Sequence, residues 1–206
     1  MEYESSKRAF YADFGIHYEF NTIGNQKWAA GLVFAPSLQV NHENNLTYSN
    51  SSTSEGVDKS YHSRTQYLPM HIGAGISMTT ERWVMTTDYN YLDWSRNTSS
   101  YTSMKYENQH KLNIGGAYIT NPRLPRSTEL MGGIGLSNSY INLRGGKMQY
   151  LEVSAGASFP IRYSYLSLGA TWRKQINSRS SLMQESRFSM NLNITFGERI
   201  SRSKLR

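Results

Sequence analysis

Histidine is the most versatile chemical group in this chain, because imidazole serves both as metal ligand and as general base. The five histidines, at positions 17, 42, 62, 71 and 110, are widely separated in sequence. His17 and His71 share the phase of their segments that also carries Asp13, Glu19, Asp88 and Glu152. Histidines and carboxylates on one surface have the composition of a metal site or an acid/base pair. Catalysis asks for more, namely groups that converge and orient one another. The chain has no Gly-x-Ser-x-Gly, no His-Glu-x-x-His, no P-loop and no dinucleotide fingerprint. It has no cysteine, hence no thiolate ligand, thiol nucleophile or disulfide. The expectation is therefore no enzyme, no metal and no cofactor. Asp13, His17, Glu19, His71, Asp88, Asn90, Asn113, Glu152, Arg173 and Arg187 read instead as charges and amides on one solvated surface, the lumen face of a barrel.

The elements that place these residues are strands. From Phe10 to Phe20 every second residue is apolar (Phe10, Ala12, Phe14, Ile16, Tyr18, Phe20), a period of two that a helix would scatter around its surface. The pattern returns from Trp28 to Val40, Leu68 to Met78, Trp83 to Tyr91, Leu112 to Tyr118, Thr128 to Leu136, Leu151 to Phe159, Leu166 to Trp172 and Phe188 to Phe196. These are nine runs, most of them near the ten or so residues that a tilted strand needs to cross a bilayer, whereas soluble strands average about five or six.

The links between runs alternate in length. Short ones are expected at Asn21–Gln26, Thr80–Arg82, Thr120–Arg126 and Pro160–Tyr163. Longer polar ones separate the other runs, the longest from about His42 to Gln66. Short turns at one end and long loops at the other are the arrangement of outer-membrane barrels. Aromatic residues gather near the strand ends, with Trp28, Trp83 and Tyr118 toward the short turns and Tyr91, Trp94, Tyr106 and Trp172 toward the long loops, as two interfacial girdles would.

Composition agrees. The 206 residues are 18% charged and 13% aromatic, with 15 tyrosines, and mean hydropathy is −0.59. A hydrophilic average suits a sheet with one apolar and one polar face. No run of 18 apolar residues exists for a transmembrane helix. The net charge of +7 falls to +3 once Arg199, Arg202, Lys204 and Arg206 are set aside (7 − 4), and the other cations are scattered. No basic stripe for nucleic acid results. Residues 1–8 are polar, without the apolar core of a signal peptide, so the chain is expected to be part of something longer. The Asn-x-Ser/Thr triplets at Asn45, Asn50, Asn97 and Asn193 are expected by chance in so Ser- and Asn-rich a chain.

Two stretches carry a family likeness: Asp88-Tyr89 leading into Leu92-Asp93-Trp94-Ser95, and Leu192 to Arg199 at the end. In these the chain resembles the C-terminal part of the FadL/TodX family of outer-membrane transporters for hydrophobic compounds, in its Bacteroidetes-like form. Asp88, Asp93, Trp94 and Ser95 carry the motif. The resemblance implies an all-β, antiparallel transmembrane β-barrel whose nine up-and-down strands are the last of fourteen. Residues 1–198 would form that barrel segment, without the family's hatch and early strands, and 199–206 a basic tail. It implies passive uptake of hydrophobic compounds such as long-chain fatty acids in the bacterial outer membrane. Gly115, Gly116, Gly132 and Gly133 would be strand kinks opening a lateral exit. Expected partners are outer-membrane lipid and lipopolysaccharide, a hydrophobic small-molecule ligand, and the barrel insertion machinery, since Phe188 to Phe196 resembles the final strand it recognises. Nucleic acid is not expected. Two alternatives stand beside this: a structural or porin-like barrel without a dedicated ligand, and a soluble β-sandwich binding module.

Overall fold

The computed structural model describes residues 2–21, 26–49, 56–62, 66–99, 101–124, 126–143, 146–161, 164–177 and 184–196. The 199–206 tail lies outside them. In chain order the strands are β1 (Glu2–Arg8), β2 (Phe14–Asn21), β3 (Lys27–Ala35), β4 (Leu38–Ser49), β5 (Gly56–His62), β6 (Gln66–Leu68), β7 (Met70–Thr79), β8 (Trp83–Asp93), β9 (Met104–Tyr106), β10 (Gln109–Ile119), β11 (Glu129–Asn138), β12 (Ile141–Leu143), β13 (Gln149–Ile161), β14 (Ser164–Asn177) and β15 (Ser186–Phe196). Among the described residues no helix forms, and none is long and apolar enough to cross a membrane.

Nine of these strands make one antiparallel sheet in the order β15-β14-β13-β11-β10-β8-β7-β3-β2. They correspond one for one to the nine alternating runs and are 8 to 14 residues long. Local chemistry moves two boundaries. The first strand begins at Phe14, not Phe10. The second ends at Ala35, because Pro36 has no N–H to donate to a ladder. The chain resumes in β4, which pairs with β1, β5 and β6 in a small satellite sheet. β4 and β5 occupy the stretch expected to be loop. Their Asn, Ser, Thr and Lys residues do not alternate with apolar ones, so period two did not reveal them. Short β9 and β12 pair beyond the ends of β8, β10 and β11.

The connections at one end span 22–26, 80–82, 120–128 and 162–163; those at the other span 36–69, 94–108, 139–148 and 178–185. The length contrast fades at the last of these, which is no longer than 120–128. There β13 and β14, at 13 and 14 residues, take up chain as paired strand instead.

Successive side chains of a strand point to opposite faces, so register sorts the residues. Phe14–Phe34–Ile72, Ile16–Leu32–Ala74 and Leu112–Leu136–Leu151 stand in rows on one face. That face is apolar and open: Ile16 is 73% exposed, Ile134 56% and Met190 78%. Among the described residues the only buried hydrophobic side chains are Ala35 and Tyr150. No second sheet is stacked on the nine-stranded one among the described residues. A β-sandwich therefore fits only as far as its strands do, since its core forms between two facing sheets.

The sheet is also not a closed barrel. β2 and β15 each pair on one side only among the described residues. With nine antiparallel strands these edges run in the same direction, so joining them directly would need one parallel pair. What stands is an open, two-faced antiparallel sheet.

Candidate functional site

The polar face gathers nearly all of the candidate residues. One register row crosses the whole sheet: His17, Gly31, Gly75, Asp88, Asn113, Gly135, Glu152, Arg173, Arg187. Six of the ten candidates lie in this row. Glu19 belongs to the adjacent row with Ala29, Ser77 and Thr86, and Asn90 and His71 lie on the same face further toward the long loops. Asp13 alone sits before its strand. There its carboxylate accepts a hydrogen bond from Tyr11, which raises the Tyr11 pKa above 10, with smaller contributions from desolvation and from the Asp13 charge.

Four of these side chains form one connected network. Asp88 Oδ2 accepts from Asn90 Nδ2 at 2.9 Å and from Asn113 Nδ2 at 2.8 Å, and His71 Nε2 donates to Asn90 Oδ1 at 2.9 Å. The carboxylate thus accepts from two neutral amides, one on its own strand β8 and one on β10, and His71 extends the network to β7; charge-assisted bonds of this kind are the stronger class. Glu152 stands opposite Arg173 in register, and Arg173 lies over the Tyr150 ring at 4.1 Å. Negative groups occupy the middle of the row and two arginines occupy its β15 end. No three of the described His, Asp and Glu residues approach closely enough to hold a metal ion.

The Asp93-Trp94-Ser95 element has a local structural role. Asp93 Oδ1 accepts from the Ser95 backbone N–H at 3.0 Å and from Ser95 Oγ at 2.5 Å, an Asx turn that ends β8. Trp94 then stacks on Tyr140 (centroids 4.6 Å apart) and on Tyr106 (6.3 Å). At the short-turn end Trp83 packs on Tyr118 at 4.8 Å. Aromatic contacts therefore mark both ends of the sheet. The paired glycines sit in an unbroken ladder, Gly115 opposite Gly133 and Gly116 opposite Gly132.

A second site escaped the sequence reading. Beyond the sheet, Ser95, residues 106–108, Ser139, Ile141, Lys147 and Met148 border an open cavity of about 770 Å³. Tyr89, His110, Leu112 and Leu136 contribute from the apolar face, and Tyr106, Glu107, Asn108 and Lys147 from the connections. Tyr89 OH lies 2.7 Å from His110 Nδ1, and Asn108 Nδ2 donates to Tyr91 OH at 2.8 Å. Asn138 ties the walls together, accepting from the His110 N–H and donating to the Asn108 carbonyl at 2.7 Å. Glu107 accepts from Asn142 Nδ2 at 2.6 Å and faces Lys147 Nζ at 3.8 Å. Residues 30 or more apart in sequence meet here. Nothing local in the sequence marks this site; the register that sets Tyr91 opposite His110 comes only with the fold.

Fold and site together define a two-faced β-sheet protein: amphipathic strands, an exposed apolar face, a hydrogen-bonded polar face and a built pocket at one rim. The profile of the BamG family matches residues 1–203, and the chain belongs to that family. No curated protein matches it, and no solved structure does. The family match overturns the FadL/TodX resemblance and with it the fatty-acid transport function. The physical reason for the misreading is visible. Period-two strands and an Asp-x-Ser turn closing a strand are generic solutions to strand geometry, shared by unrelated sheets.

Proposed function

We propose that this chain is an accessory component of the bacterial barrel assembly machinery, held at the outer membrane by its apolar sheet face. The family name points to that machinery, the BAM complex, and the match over 1–203 is the observation that carries the reading. The geometry supports the location. Strands of 8 to 14 residues suit the hydrocarbon layer, which a tilted strand crosses in about 9–11 residues. Leu32, Ile76, Ile114, Ile134 and Leu168, at 58%, 45%, 56%, 56% and 46% exposure, would face acyl chains. The polar face would then border water, and lipid with lipopolysaccharide would be the surroundings. The unpaired edges of β2 and β15 offer backbone groups to strands of a partner, the usual fate of an open sheet edge. The role is one of contact and support, without catalysis. As a membrane-barrel wall the sheet would be completed by strands beyond the nine described.

Purification of the tagged chain from outer membranes tests this. The expected result is co-purification of the barrel insertion complex, with depletion of the chain lowering the amounts of other outer-membrane barrels. A chain that purifies alone, and whose depletion leaves those barrels unchanged, would overturn the reading.

A further inference from the structure

We infer that the edge of β15 pairs with a transmembrane strand of a different polypeptide, one that runs opposite to β15, is uncharged along most of its length and places a carboxylate beside Arg187. This rests on the reading above, a bilayer-facing sheet within the insertion complex, and names the contact through which the sheet joins that complex. In hydrocarbon no water reaches a strand edge, so the N–H and C=O groups along it need a strand beside them. In the large sheet the edges free of a second neighbour among the described residues are those of β2 and β15. Edges that stay free in native proteins carry charges, prolines or bulges. β2 has Glu19 within its eight residues and Asp13 just before them. β15 has no charged residue and no proline from Phe188 to Phe196, and it pairs with β14 without a break in register. That stretch has the length of a strand that crosses hydrocarbon, about 9–11 residues. β15 is therefore the edge without protection against pairing.

Direction excludes a second copy as the neighbour. β2 and β15 run the same way, and a copy inserted in the same orientation presents both of its edges running that way too. Either would meet β15 as a parallel pair, whereas neighbours in bacterial outer-membrane barrels are antiparallel. Charge describes the neighbour further. In the polar row Glu152 stands opposite Arg173, and Arg173 stands opposite Arg187. Arg187 thus has an arginine on its inner side, and it makes no ion pair among the described residues. Like charges directly opposite one another are unfavourable. A carboxylate on the outer side of Arg187 offsets them and continues the row.

The test uses the full chain in intact outer membranes, with Met190→p-benzoylphenylalanine and Leu192→p-benzoylphenylalanine on β15 and Ile134→p-benzoylphenylalanine in the middle of the same face. Resistance to carbonate extraction confirms that each variant is inserted. After irradiation the two β15 positions are expected to give a shifted band containing one component of the insertion complex. Mass spectrometry should map both adducts to one strand, the Met190 site lying C-terminal to the Leu192 site, as opposite directions require. Ile134 is expected to give no protein adduct. Arg187→Glu should leave the chain in the membrane and lower the yield of both β15 adducts. Adducts to a second copy or within the chain, sites in the same order as β15, or yields unmoved by Arg187→Glu would overturn the inference. If the insertion complex co-purifies while β15 gives no protein adduct, this contact alone is wrong. If β15 gives the expected pattern on a barrel protein outside that complex, the contact stands and the accessory role falls.

Discussion

The two faces of the nine-stranded sheet come from the same strands, one residue out of step, yet they are organised in opposite ways. On the polar face side chains find each other: His71, Asn90, Asp88 and Asn113 are joined by bonds of 2.8–2.9 Å across β7, β8 and β10. On the apolar face Ile114, Ile134, Leu192 and Met190 keep 56–78% of their surface free. A soluble sheet would show the reverse, its apolar face buried and its polar face loose in water. The difference teaches that cohesion here comes from the backbone ladder and the polar side, while the apolar side is made for surroundings outside the chain.

The strongest way to break that comparison is to charge the apolar face. Ile134→Arg should destabilise the bilayer-inserted form by about 2–4 kcal/mol, read from urea titration of the chain folded into lipid vesicles. Asn193→Arg on the polar face should cost less than about 0.5 kcal/mol. Equal losses would mean that the faces do not differ in environment.

Packing comes next. A Cβ on Gly156 would meet the Leu168 carbonyl oxygen at 2.9 Å, a backbone atom that cannot rotate away. Gly156→Ala should therefore lose about 1–3 kcal/mol. At Gly15 the nearest atom is 3.8 Å away, and Gly15→Ala should stay within about 0.5 kcal/mol. Identical midpoints for the two variants would show that the β13–β14 contact is not tight.

Smaller still is the polar network. Asp88→Ala leaves the Asn90 and Asn113 amides without their shared acceptor on a half-exposed face, a loss of about 1 kcal/mol by the same titration. A neutral result would mean that water replaces Asp88 without loss and that the network adds nothing to cohesion. The weakest effect is at the rim. Lys147 is 75% exposed in its pairing with Glu107, so Lys147→Ala should cost below about 0.5 kcal/mol.

All nine strands of the large sheet were legible from period two alone, because any residue pattern that repeats every second position paints one face of a strand. That nine of the ten polar candidates share one face follows from the same phase. The satellite strands were not legible. β1 and β4 pair polar segments some 30 to 45 residues apart, Glu2 with Thr47 through Arg8 with Asn41, and neither carries an apolar stripe. The pocket was hidden for a similar reason. Asn108, Asn138 and Tyr89 have ordinary neighbours in sequence and become a site only when two connections fold over the strand ends.

The amino-acid sequence by itself determined the nine strands of the large sheet and their two faces, since side-chain alternation on a pleated backbone sorts successive residues to opposite sides. Only the tertiary structure decided that the sheet stays open, that the polar candidates align across it, and that a pocket forms at the rim. Those depend on register and on pairings between distant segments. A shift of one residue would exchange the faces without altering a single letter of the sequence.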